Sequence, residues 1–227
     1  MIDEACLQYL HFKQTLNIQI ALIFKYMAFT FFFRDDQILA LAVEKLVPFT
    51  IGRSNVRILN AGCAMGMETY TFAIMLAEKM GKFALRNVKI HAIDIDNENV
   101  DFGKTVSQGI YHKEHLQRIP PDLFNKYFKP ADIEDHYIIS QDLINLVEFE
   151  KYDLLTLKPL RNDYSLVICK NVLLHFNYQQ RIEVIKMYYN MLLTGGLLAM
   201  ENTQNMPDEL KHMFRRLVDY SQLYEKV

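Results

Sequence analysis

The sequence contains no tryptophan and only 8 glycines and 6 prolines among its 227 residues. That scarcity excludes collagen-like and linker-rich chains, and no repeating period points to a solenoid. Three cysteines, Cys6, Cys63 and Cys169, are too few and too widely spaced for a disulfide framework, and their odd number suits a reducing cytosol. No C-x-x-C pair or Cys/His cluster is present, so no metal site is expected. Excess charge of either sign is also lacking: 25 basic against 27 acidic residues leave a net charge of −2, which excludes a broad cationic footprint for nucleic acid. What remains, 51% hydrophobic and 23% charged residues, is the composition of one folded domain with at most a small appendage.

A clean apolar membrane span is missing too. The stretch LNIQIALIFKYMAFTFFF, residues 16–33, is rich in apolar side chains, but Lys25 near its middle would cost about 2.5 to 3.5 kcal/mol in a bilayer. Arg34, Asp35 and Asp36 close it with charge, so a buried helix followed by an aromatic turn is expected, with no membrane insertion. The N-terminal MIDEACLQYL is acidic where a secretory signal is basic, and a cytoplasmic location is the expectation.

From residue 56 onward, strand-like runs alternate with amphipathic segments. VRILNA (residues 56–61), a helix from Glu68 to about Met80, VKIHAID (88–94) and a helix over 97–107 form a βαβ unit with parallel pairing. LVEFEKYDLL, YSLVICK, a helix over 178–193 and GLLAMEN continue the alternation, so the expected class is α/β with a buried Rossmann-like sheet and helices on both faces. Residues 109–144 hold Pro120, Pro121 and short apolar runs, too long for an ordinary connection, and predict an inserted subdomain. The tail admits a helix or an antiparallel hairpin, and the hairpin is preferred because MFRRLV and SQLYEKV flank Asp219-Tyr220.

The most informative stretch is NAGCAMGMETY, residues 60–70, where a strand passes through a turn with Gly62 and Gly66 into a helix. Glycines there admit a ligand close to the backbone, although tight strand-to-helix packing needs small residues without any ligand. Asp94 closes the second strand, where a carboxylate can accept both hydroxyl hydrogens of a ribose. The turn departs from the G-x-G-x-x-G pattern that seats a pyrophosphate, and it places Glu68 in the first helical turn. A carboxylate there repels a pyrophosphate and attracts an ammonium group, so S-adenosylmethionine fits and NAD fits poorly. Glu68 also admits the plainer reading of an acid complementing the helix dipole.

These segments, with TFFFRD (30–35), AIDIDNENV (92–100), GIY (109–111), VEFEKYDLL (147–155), CKNVLLHF (169–176) and Gly195-Gly196, resemble the chemotaxis receptor methyltransferases of the CheR type. That family is class I, uses S-adenosylmethionine and converts receptor glutamates to methyl esters. The resemblance runs from about Phe29 to the end. It implies a truncated helical region over 1–49 and a methyltransferase domain over 50–227 with its insert near 109–144. It also implies a protein substrate of chemoreceptor type.

Carried over residue by residue, the resemblance makes Thr30, Arg34, Ala61, Gly62, Glu68, Asp94, Asp153, Leu154 and Asn171 the cofactor-binding candidates. Arg34 would reach the methionine carboxylate or the target carboxylate, Glu68 the amine, Asp94 the ribose, and Asp153 with the Leu154 backbone the adenine. Arg34, Lys170 and His175 are the catalytic candidates, because CKNVLLHF ends the fourth strand beside the expected cleft. The family's G-E-E-P-Y is G-M-E-T-Y here, and its C-R-N-V-x-[IL]-Y-F is C-K-N-V-L-L-H-F, so Lys170 offers a point charge where the family has a fork. Ala28 stands where the family often has Asn, and Ser165 where it commonly has Asp. Three readings follow: a glutamate methyltransferase, a methyltransferase with another acceptor, and a silent S-adenosylmethionine-binding module.

Overall fold

The structure is a computed structural model that describes residues 30–95 and 101–227. Most of the apolar stretch 16–33, Ala28, and the start of the helix expected over 97–107 lie outside those residues. The chain divides into two compact units, Met1–Thr30 and Phe31–Val227, and the elements below belong to the second. Among the described residues no helix is long and apolar enough to cross a membrane.

Helix α1 (Gln37–Thr50) carries Ile38, Leu39, Ala42, Val43 and Leu46 on one stripe, the spacing of a helix with one buried face, and packs on α2 and β8. Strand β1 (Val56–Ala61), helix α2 (Met67–Leu85) and strand β2 (Val88–Asp94) form the expected βαβ unit. Helix α3 (Phe102–Gln108) then leads into residues that hold β3 (Ile110–His112), α4 (Pro121–Tyr127), β4 (Phe128–Pro130), β5 (His136–Ile139) and α5 (Gln141–Ile144). The three strands pair antiparallel in the order β3-β5-β4, a sheet separate from the main one. The chain returns through β6 (Val147–Lys151), β7 (Tyr164–Cys169), α6 (Tyr178–Met191) and β8 (Leu192–Met200), and closes with β9 (Phe214–Arg216) and β10 (Leu223–Lys226).

The main sheet has the order β6-β2-β1-β7-β8-β10-β9. Its first five strands are parallel, and the β9/β10 hairpin adds antiparallel to β8, as the tail sequence led us to expect. All six residues of β7 are buried, because helices cover both faces of a central parallel strand. Alternation along the strands sorts the core in two. Ile58, Ile90, Leu166 and Leu197 face α1 and α2, whereas Leu59, Ile93, Val167 and Leu198 face α6. An Asn177/Gln180 capping box starts α6.

At the other end of α6, Lys226 of β10 donates to the Tyr189 and Leu192 carbonyls, both at 2.7 Å, with its ammonium 4.2 Å from the centre of the Tyr189 ring. The cation therefore adds a charged donor where the carbonyls of the helix end and the first strand residue face outward from α6. Lys226→Met is expected to lower the unfolding free energy by about 1 to 3 kcal/mol, measured as a shift of the urea midpoint at unchanged slope.

Candidate active site at the carboxyl edge of the sheet

The register lines the site up. Ala61 pairs with Ile93 on one side and Cys169 on the other, and Cys169 pairs with Met200, so β1, β7 and β8 end level and β2 runs one residue further, to Asp94. Level with Asp94, one residue beyond the other three ends, come Gly62, Lys170 and Glu201. Lys151 of β6 pairs with Asp94, which brings Asp153 to the same edge. From β1 the chain order runs outward to β2 and β6 on one flank and to β7 and β8 on the other. The carboxyl edge at such a reversal is where open α/β sheets bind ligands.

The turn after β1 is stitched to β2. Gly62 N and Cys63 N donate to the Ile93 carbonyl at 2.8 and 3.1 Å, Ala64 N donates to Asp94 Oδ2 at 2.7 Å, and Gly66 N donates to the Cys63 carbonyl at 2.8 Å. Gly62 has φ +79°, and a Cβ there would lie 2.0 Å from Val172 Cγ2, so both backbone and space demand glycine. Ala64 also takes a positive φ, 45°, outside the glycine-favoured residues. Tyr111 of β3 is buried beneath this turn and donates from its hydroxyl to the Met65 carbonyl at 2.9 Å. Its ring meets Phe32 and Tyr70 edge-on. Tyr111 thus braces the turn from below.

Glu68, in the first turn of α2, has both oxygens engaged. Oε1 accepts from Asn60 Nδ2 at 2.9 Å, and Oε2 lies 3.0 Å from Lys170 Nζ. Asn60 is fully buried near the end of β1 and also accepts from the Thr69 hydroxyl. Sequence reasoning passed over Asn60, although a polar residue inside the apolar run VRILNA was a signal, since buried amides need partners. Lys170 is turned inward. Beyond Glu68 it donates to the Asp35 and Arg34 carbonyls at 3.1 and 3.4 Å.

Arg34 sits on a turn with positive φ at Phe33 and Asp35, and its Nε lies 3.4 Å from Asp35 Oδ2. The turn docks on α2 through Phe33 N, which donates to Thr71 Oγ1 at 3.0 Å. Thr30 is partly buried and closes the first compact unit. Asp153 accepts from Leu155 N at 2.8 Å, capping a single helical turn that starts at Leu154, which is itself buried. Asn171, with φ 58°, and His175 are both exposed after β7. Ser165 is fully buried with its hydroxyl unpartnered. The edge therefore gathers Gly62, Glu68, Asp94, Lys170 and the Arg34 turn, while Asn171 and His175 stand at its solvent side. Among the described residues no cluster of His, Cys, Asp or Glu could hold a metal ion.

A family model described as CheR methyltransferase, SAM binding domain, matches residues 28–220. The chain belongs to the CheR methyltransferase family. It is 29% identical over 211 residues to the chemotaxis protein methyltransferase of Borreliella burgdorferi, covering 88% of this chain and 73% of that protein. To the corresponding protein of Escherichia coli it is 28% identical over 163 residues, covering 70% and 54%. Among solved structures, a methyltransferase from Geobacter sulfurreducens is similar with a TM-score of 0.42 and 16% identity over 81% of this chain and 77% of that one. As a CheR-family enzyme the chain is an S-adenosylmethionine-dependent methyltransferase. The edge suits that cofactor: four amides of the turn have acceptors within the protein, and the first turn of α2 carries a carboxylate, an arrangement that offers no cradle for a pyrophosphate.

One feature of the CheR-family edge leaves little trace in the sequence. Glu201, at the end of β8, is buried with neither carboxyl oxygen in a hydrogen bond. Burial pushes its carboxyl up, opposed by the amides of Glu201 itself, Asn171 and Leu174, which lie near it outside hydrogen-bond geometry, and reinforced by the Glu68 charge. A raised acid binds its proton more tightly folded than unfolded. The stability it contributes is therefore full below the ordinary value of 4.5 and is lost as pH rises through the folded value. Glu201→Gln should accordingly raise the melting temperature at about pH 8 and lose that advantage at about pH 4, each kcal/mol appearing as roughly 2 to 4 °C in calorimetry. A difference that does not vary with pH would contradict the burial of an ionisable group there.

Proposed function

We propose that this CheR-family enzyme forms methyl esters on glutamate side chains of a chemoreceptor-like signalling protein in the cytoplasm. The observation that carries the reading is the pair of carboxylates, Glu68 and Asp94, on either side of the glycine turn, with the exposed Asn171 and His175 one strand away. The chemotaxis protein methyltransferases to which the chain is similar support the choice of acceptor. Residues 50–227 are proposed as the methyltransferase domain, with 109–144 as its insert.

In this reading Asp94 holds the ribose diol, Glu68 the methionine ammonium and Arg34 the methionine carboxylate. Ala61, Gly62 and Leu154 line the cofactor, and Asp153 accepts from the adenine amine. The bound cofactor supplies a methyl group on a sulfonium. A glutamate side chain is already ionised at neutral pH, so the protein need not remove a proton. Its task is to align one carboxylate oxygen and strip water from it, because the opposite charges of the reactants vanish in the transfer. Asn171 and His175 are the groups at the β7 end placed to orient that carboxylate, and both can donate a hydrogen bond. The inward turn of Lys170 favours one second reading, an acceptor other than glutamate, since the cation best suited to steer a carboxylate is committed elsewhere.

Two outcomes test the proposal. Incubation with methyl-labelled cofactor and receptor cytoplasmic fragments should give base-labile label on glutamate, and base-stable label would select the second reading. In calorimetry with S-adenosylhomocysteine, Asp94→Ala and Glu68→Ala should each weaken binding roughly tenfold to a hundredfold, the loss of one charge-assisted hydrogen bond of about 1.5 to 3 kcal/mol. Unchanged affinity in both variants would remove these residues from the site.

A further inference from the structure

Lys170 is the most constrained polar side chain at the carboxyl edge. Its side chain is 4% exposed, and the ammonium has three N–H groups. Three acceptors surround it: Glu68 Oε2 at 3.0 Å, the Asp35 carbonyl at 3.1 Å and the Arg34 carbonyl at 3.4 Å. No donor is left over for an acceptor substrate. A buried cation is tolerated only when it is paired and fully hydrogen-bonded, so breaking one of these contacts to reach a substrate would be costly.

The three contacts join two separate elements. Glu68 belongs to the first turn of α2, whereas Arg34 and Asp35 belong to a turn whose backbone runs through positive φ at Phe33, 56°, and Asp35, 43°. Non-glycine residues hold such angles only where surrounding structure imposes them. Here the imposing contacts are the Phe33 amide on Thr71 and the Lys170 ammonium on the two following carbonyls. Glu68 is fixed at one oxygen by Asn60 and at the other by Lys170.

We infer that Lys170 is a positioning residue that locks Glu68 and the Arg34 turn together, and so sets the site for the amino-acid end of the cofactor without touching the methyl acceptor. The inference rests on the proposed roles of Glu68 and Arg34 and deepens them. It differs from an acceptor-steering role for Lys170 in a measurable way, because both groups that Lys170 holds would meet the methionine moiety and neither would meet the adenosine.

The test compares two ligands on the full chain by calorimetry. S-adenosylhomocysteine carries the amino-acid end, and 5′-methylthioadenosine lacks it. Lys170→Met should weaken S-adenosylhomocysteine binding at least tenfold and leave methylthioadenosine within twofold of wild type. Lys170→Arg keeps the buried charge but cannot place a compact ammonium, and it should show the same selective loss at smaller size, which serves if the methionine variant does not fold. Equal loss for both ligands, in either variant, would mean general damage to the site and would overturn the inference. Tighter binding of S-adenosylhomocysteine would overturn it in the opposite sense, showing that Lys170 competes with the ligand ammonium for Glu68. A wild-type chain that binds both ligands equally well would instead refute the assignment of Glu68 and Arg34, and the inference with it.

Discussion

The constraint on which the site depends is the two-sided burial of the central strands. Where β1 and β7 are covered by α1 and α2 on one face and α6 on the other, a polar side chain has no water to meet and needs a partner within the protein. Polar chemistry therefore emerges where the ladders stop, and the register stops β1, β7 and β8 level, with β2 one residue longer. Gly62, Asp94, Lys170 and Glu201 owe their proximity to that shared end rather than to their separation in sequence.

The electrostatics of the edge follow from the same geometry. Two acids near the strand ends are handled differently: the partly buried Glu68 is compensated by Lys170 and Asn60, whereas the buried Glu201 has no hydrogen-bond partner and its carboxyl is pushed up by burial. The small antiparallel sheet adds a mechanical element, since Tyr111 reaches from β3 to the Met65 carbonyl and holds the glycine turn in place.

Much of this was legible in the residues themselves. The strands VRILNA and VKIHAID were bounded correctly, because β-rich apolar runs between turn residues leave little choice of end, and the terminal hairpin was preferred correctly over a helix. The roles of Asp94 and Glu68 could be argued from their places after a strand and at a helix start. Contacts between distant segments were not legible. CKNVLLHF reads as the end of the fourth strand beside a cleft, and nothing local in it shows that Lys170 folds inward onto a turn more than a hundred residues earlier in the chain. Asn60 and Glu201 left only the faint mark of a polar residue beside an apolar run.

The sequence by itself determined the alternation of strands and helices, the parallel sheet and the glycine turn, because periodicity and backbone freedom are local properties. It also carried the motifs by which the CheR family is recognised. Tertiary structure alone decided which charged groups are paired, since pairing depends on which strand ends the sheet order brings side by side. The difference is between what a few neighbouring residues can fix and what burial imposes on residues that meet only after the chain has folded.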